Sequence, residues 1–188
     1  MKVILIGAGR LATNLGKALL EAGHDILQVY SRTMESASAL ATLAGGAPVT
    51  EIEKVRKDAD VYIISVKDSV LPDLVQALCS GKSTKVFLHT AGSVNMDVFA
   101  GMALHYGVFY PMQSFSKAQT VSFHDIPCFV EANDDYARDV LMQLAQGLTT
   151  KIYQLSSEDR KYLHLSAVFA CNFVNHCYAV SYDILKKH

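Results

Sequence analysis

A short apolar run, Lys2-Val3-Ile4-Leu5-Ile6, passes directly into Gly7-Ala8-Gly9-Arg10-Leu11-Ala12 and then into a segment with apolar residues at Leu11, Leu15, Ala18 and Leu19. That order constrains the fold more than any other feature of the chain. A buried strand, a Gly-x-Gly-x-x-Ala turn and an amphipathic helix together form the fingerprint of a dinucleotide-binding unit. Gly7 makes the tight turn, and Gly9 lets a pyrophosphate approach the backbone. Ala12 lets helix and strand pack closely, and the free N–H groups of Arg10, Leu11 and their neighbours face the phosphates.

The rest of the chain repeats the alternation. Strands are expected at 25–30, near Val49, and at 60–66, 85–89, 105–110, 128–130 and 151–155, with helical patterns at 33–43, after Pro72 and at 133–148. Asn133 is the expected N-cap of the last of these. Strands separated by helices imply right-handed crossovers. The expected fold is therefore α/β: a doubly wound, mostly parallel Rossmann sheet over residues 1–155.

From Ser156 the pattern changes. Ser156-Ser157-Glu158-Asp159 is a helix start, and a helical pattern runs on through 156–188 with apolar residues on nearly every side. Such a helix needs cover. Two sources stay open: a second copy, giving a homodimer, or a longer helical domain of which this segment is the beginning. His164, Asn172, Asn175, His176 and Asp183 interrupt the apolar stretch, which argues against a membrane span.

Composition narrows the function classes. Of 188 residues 51% are hydrophobic and 19% charged, as in a folded domain, and a net charge of −1 offers no footprint for nucleic acid. The four cysteines show no zinc spacing, so no metal site is expected. Reduced thiols and the lack of a signal-peptide pattern point to the cytoplasm.

Two places speak to the cofactor. After the second strand comes Tyr30-Ser31-Arg32-Thr33, with no acid to hold the ribose hydroxyls of NAD. Ser31 and Arg32 suit a 2′-phosphate instead, because a guanidinium makes charge-assisted, bidentate bonds to it. The expected cofactor is NADP. The second place is Ser65-Val66-Lys67-Asp68, at the end of the strand expected beside the first, where ligands lie in such sheets.

These stretches, with His89-Thr90-Ala91-Gly92-Ser93, Tyr110-Pro111-Met112-Gln113-Ser114-Phe115, Phe123-His124-Asp125-Ile126-Pro127 and 164–173, carry a family resemblance over nearly the whole chain. It resembles the Rossmann-like NADP oxidoreductases with an uncharacterised helical C-terminal domain, relatives of pyrroline-5-carboxylate reductase and of the deazaflavin-dependent NADP reductases. The resemblance implies an NADP-type fold and supplies no substrate. One departure stands out: where the group often has His-Pro, this chain has Tyr110-Pro111.

For chemistry, His164 and Asn172 lie eight residues apart. On a regular helix that is roughly 12 Å along the axis and roughly 80° in direction, so both would face one broad cleft. The histidine would donate a proton while hydride arrives, and the asparagine would orient a small carbonyl or imine. Thr90 and Ala91 would line the cofactor side. A nucleotide-binding regulator without turnover is the competing reading, because a fold does not establish chemistry.

Overall fold

The computed structural model describes residues 1–80, 84–116 and 121–187; His188, the last residue of the expected helical segment, lies outside them. Eight strands form one sheet in the order β3-β2-β1-β4-β5-β6-β7-β8. They are β1 (Lys2–Ile6), β2 (Asp25–Tyr30), β3 (Ala47–Val49), β4 (Val61–Ile64), β5 (Val86–His89), β6 (His105–Pro111), β7 (Cys128–Ala132) and β8 (Ile152–Gln154). The helices α1 (Arg10–Glu21), α2 (Met34–Ala44), α3 (Leu71–Cys79) and α4 (Asp135–Gln146) accompany them.

The central strands β1, β4 and β5 are buried on both faces, which is why they read as continuous apolar runs. Val3 and Leu5 point into one core with Leu15, Leu19, Leu40 and Leu141, under α1, α2 and α4. Ile4 and Ile6 point into the other with Tyr62, Phe87, Leu71, Val75 and Phe99, under α3. Ile4, Tyr62 and Phe87 are fully buried, and each large apolar side chain so enclosed stabilises the fold by about 1.5–3 kcal/mol. The chain reverses its direction of travel across the sheet between β1 and β4, which pair in parallel from Val3↔Val61 to Ile6↔Ile64. Ligands of open α/β sheets lie outside the carboxyl ends of the strands at such a point.

The sheet is mostly parallel, as expected, and one local expectation needs correction. All neighbouring strands are parallel except β6 and β7, which pair antiparallel. Among the described residues of the 112–127 connection there is no helix, whereas parallel neighbours are usually joined by a helical crossover. And α4 is capped by Asp134, whose Oδ1 accepts the Ala137 N–H at 2.7 Å, not by Asn133. Asn133 is occupied elsewhere: its Oδ1 accepts the Tyr106 N–H and its Nδ2 donates to the Leu104 carbonyl, pinning the start of β6.

The C-terminal segment is one long helical run in three parts, α5 (Ser157–Ala167), a π-helical turn (Val168–Phe173) and α6 (Val174–Lys186). Ser156 caps it through its side chain. Among the described residues nothing buries α6, in line with cover that was expected from a second copy or a longer helical domain. No residue of α6 is buried, and Phe169, Tyr178 and Leu185 are 61%, 71% and 75% exposed. No helix among the described residues is long and apolar enough to cross a membrane.

Candidate active site

At the carboxyl ends of β1 and β4 lies a cleft of about 580 Å³. Its floor is the Gly7–Leu11 loop. Gly7 adopts φ +109°, and a Cβ there would sit 2.2 Å from the Ser65 carbonyl oxygen, so only glycine lets β1 and the end of β4 approach this closely. Gly9 is different: nothing lies within 4 Å of where its Cβ would be. The space above Gly9 is open, and the N-terminus of α1 faces it without a side-chain cap or an acid in its first turn. Uncapped N–H groups at the positive end of a helix are an anion site.

One wall carries Tyr30, Ser31, Arg32 and Ser36, at the end of β2 and the start of α2. Arg32 is exposed and makes no ion pair among the described residues, so its guanidinium is free to meet a phosphate. The opposite wall is Ser65, Val66, Lys67 and Asp68, with Val70 and Leu74 giving an apolar surface. The donor set therefore fits a dinucleotide phosphorylated at the 2′ position: phosphates over Gly9, the extra phosphate at Arg32. Among the described residues no group of histidines, cysteines and acids could hold a metal ion.

The far end of the cleft is closed by Thr90, Ala91, Gly92, Tyr110 and His164. Thr90 and Ala91 follow β5, and Tyr110 stands near the end of β6. His164 comes from α5, whose sheet-facing stripe is Ser157, Arg160 and His164, three and four residues apart. Polar pairing docks this stripe. Glu131 of β7 accepts the Ser157 N–H at 2.8 Å, its hydroxyl at 2.5 Å and Arg160 Nη1 at 2.6 Å, while Arg160 Nη2 donates to the Val94 carbonyl at 2.6 Å.

So held, His164 Nδ1 lies 2.9 Å from the Tyr110 hydroxyl, with the two rings edge to face. A Cβ on Gly92 would come within 2.5 Å of the His164 ring, so the imidazole occupies room that only a glycine leaves. Burial pushes the Tyr110 phenol above its ordinary value, opposed by the nearby Arg160 charge and reinforced by Asp68. His89, beneath this floor, is fully buried and accepts the Ala91 N–H at Nδ1. Its burial, helped by Arg160, holds its pKa down to about 3, so it stays neutral.

The structure thus brings Gly7, Gly9, Arg10, Leu11, Ser31, Arg32, Ser65, Val66, Lys67, Thr90, Ala91 and His164 to one cleft. Asn172 is not in its lining. It is exposed, in the π turn, where the regular-helix spacing from His164 no longer holds. Sequence reasoning missed Ser36, Val70, Leu74, Gly92 and above all Tyr110 as a partner of His164. The departure at Tyr110-Pro111 was the available signal. A second cavity of about 510 Å³, between β7, α4 and the start of α5, contains none of the expected site residues.

A family model described as NADP oxidoreductase, coenzyme F420-dependent, matches residues 2–91. A second, a domain of unknown function (DUF2520), matches residues 126–188. No curated protein matches the chain. Among solved structures, a Bacteroides fragilis protein described as a candidate NADP oxidoreductase is 48% identical with a TM-score of 0.95, over 99% of this chain and 72% of that one. A Coxiella burnetii pyrroline-5-carboxylate reductase is 16% identical, TM-score 0.72, over 98% and 70%. An imine reductase from Myxococcus stipitatus, solved with NADP+, is 15% identical, TM-score 0.70, over 98% and 64%. The last two share the fold with this chain.

Proposed function

This chain belongs to the same NADP oxidoreductase family as the Bacteroides fragilis protein, and on that premise we propose that it transfers hydride between NADPH and a small carbonyl or imine. The observation that carries the reading is the continuity of the cleft. The Gly7–Leu11 loop and Arg32 stand at one end and His164, bonded to Tyr110, at the other. Bound NADPH supplies the hydride. Gly9 and the α1 N-terminus hold its pyrophosphate, Ser31, Arg32 and Ser36 its 2′-phosphate, and Thr90 and Ala91 the nicotinamide end. His164 is the proton donor to the reduced substrate. Asn172, exposed on the π turn and outside the cleft lining, has no role in this reading.

Residues 1–155 are the cofactor domain in this reading, and 156–188 a helical segment that pairs with a second copy in the cytoplasm. Its exposed Phe169, Phe173, Tyr178 and Tyr182 support the pairing, since apolar surface of this kind marks interaction sites. The test is NADPH oxidation followed by nicotinamide absorbance against a panel of small aldehydes, ketones and cyclic imines. Turnover lost in His164→Ala is expected. Tight NADPH binding without turnover on any member would favour the regulatory reading, and a monomer by light scattering would remove the homodimer.

A further inference from the structure

The geometry points to a two-residue proton relay: His164 hands its Nε2 proton to the reduced substrate, Tyr110 refills the ring through Nδ1, and Arg160 steadies the phenolate left behind. The relay deepens the reading of His164 as proton donor and rests on it.

Three observations carry it. The first is the 2.9 Å contact between the Tyr110 hydroxyl and His164 Nδ1. Tyr110 is 8% exposed and burial favours its protonated form, so it has a proton to give, and in the relay the O–H donates and the ring nitrogen accepts. An accepting Nδ1 puts the ring hydrogen on Nε2, which bonds to no described residue and is free for a substrate. The second is Gly92, whose missing side chain is what lets the imidazole lie against the Thr90–Gly92 end of the cleft.

The third is Arg160. It is 1% exposed, anchored to Glu131 and Val94, and its charge favours the ionised form of Tyr110. The groups facing Tyr110 are Arg160 and His164 from α5, the ring of Phe129 from β7 and, opposing, the Asp68 carboxylate from the loop after β4. Arg160 touches neither substrate nor cofactor and is a positioning residue: it docks the stripe of α5 that carries His164, and its charge bears on Tyr110.

Electrons and protons balance as follows. Hydride brings two electrons to the substrate carbon, the π pair of the C=O or C=N bond moves to the heteroatom, and the heteroatom takes the Nε2 proton. The N–H bonding pair stays on the ring while Nδ1 takes the Tyr110 proton. The phenolate waits beside Arg160 until water in the open cleft returns a proton. The net reaction consumes one hydride and one solvent proton.

Tyr110→Phe in the full chain tests this, because it keeps the ring and removes only the hydroxyl. With whichever panel member turns over, kcat is expected to fall about ten- to hundredfold near pH 8, with NADPH affinity unchanged. The gap should narrow as pH falls, because solvent protons then reach the ring without the phenol. A loss equal at every pH, or no loss, overturns the relay. A readout independent of turnover is the ¹⁵N signature of the ring, assigned by its disappearance in His164→Ala. The Nε2–H tautomer is expected in the wild type and a mixture in Tyr110→Phe, and a wild-type Nδ1–H tautomer overturns the relay. Wild-type turnover in His164→Ala would sink the donor reading itself. An inactive His164→Ala beside an unaffected Tyr110→Phe would sink the relay alone.

Discussion

Replacing Glu131 by Gln keeps the shape of the side chain and removes its charge. The carboxylate is the counter-charge to a guanidinium that is 1% exposed, and it is itself only 16% exposed. It also accepts both the N–H and the hydroxyl of Ser157, at the first turn of α5. A glutamine offers one acceptor oxygen for these three donors and aims an NH₂ at another donor. Arg160 would then be left buried with its charge unpaired. Breaking a buried pair on one side costs about 3–5 kcal/mol, and the residual exposure of Glu131 favours the low end, about 3.

For a chain of this length that corresponds to a fall of about 6–12 °C in melting temperature. Urea unfolding and thermal melts of the wild type, Glu131→Gln, Arg160→Met and the pair Glu131→Leu with Arg160→Met would measure it. Apolar replacement of both partners should restore most of the stability, because the penalty lies in the orphaned charge. A loss under about 1 kcal/mol in Glu131→Gln, or a double variant worse than both singles, would refute the argument. Since His164 sits one turn beyond Arg160, Glu131→Gln should also lower turnover where the fold survives.

Arg32→Ala should weaken NADPH binding roughly tenfold to more than a hundredfold, at about 1.5–3 kcal/mol per charge-assisted bond lost, and leave NADH nearly untouched. Titration of both cofactors decides this, and equal wild-type affinities would make Arg32 a mere surface charge. Gly92→Ala should displace the His164 ring and cost about a hundredfold in kcat, as misplacement by an ångström does, with cofactor affinity retained. His89 takes up its proton near its ordinary value of 6.5 in the unfolded chain but only at about 3 when folded. Its contribution is therefore full above 6.5 and is lost as pH falls toward 3, by about 1.4 kcal/mol per pH unit. His89→Leu should flatten the acid limb of urea stability measured between about pH 7 and about pH 5, and parallel limbs would contradict this.

The sheet was legible because its central strands are enclosed on both faces. Residues 2–6 and 60–66 read as apolar runs, and the structure places β1 and β4 there. The cofactor half of the cleft was legible for a related reason: Gly7, Gly9, Ser31 and Arg32 are local to βα turns, where spacing alone sets position. The proton-transfer half was not. Tyr110 and His164 are 54 residues apart and meet only because Glu131 and Arg160 dock a polar stripe against β7. Hydrophobic periodicity, which predicts how helices face a core, has nothing to say about a helix held by charge. Asn133 and Asp134 are both good caps by residue type, and tertiary bonds to β6 decided between them.

The π turn at Val168–Phe173 admits one residue more per turn than a regular helix. Everything beyond it is rotated by about 100° from where an unbroken helix would put it. The compass bearing of α5 is set by His164 in the cleft, whereas that of α6 is set by the extra residue. Removing a single residue from the turn would therefore swing Tyr178, Tyr182 and Leu185 around the axis as a block and leave His164 against Gly92. The two halves can drift apart in sequence as separate instruments, one tuned to a reaction and the other to whatever lies alongside.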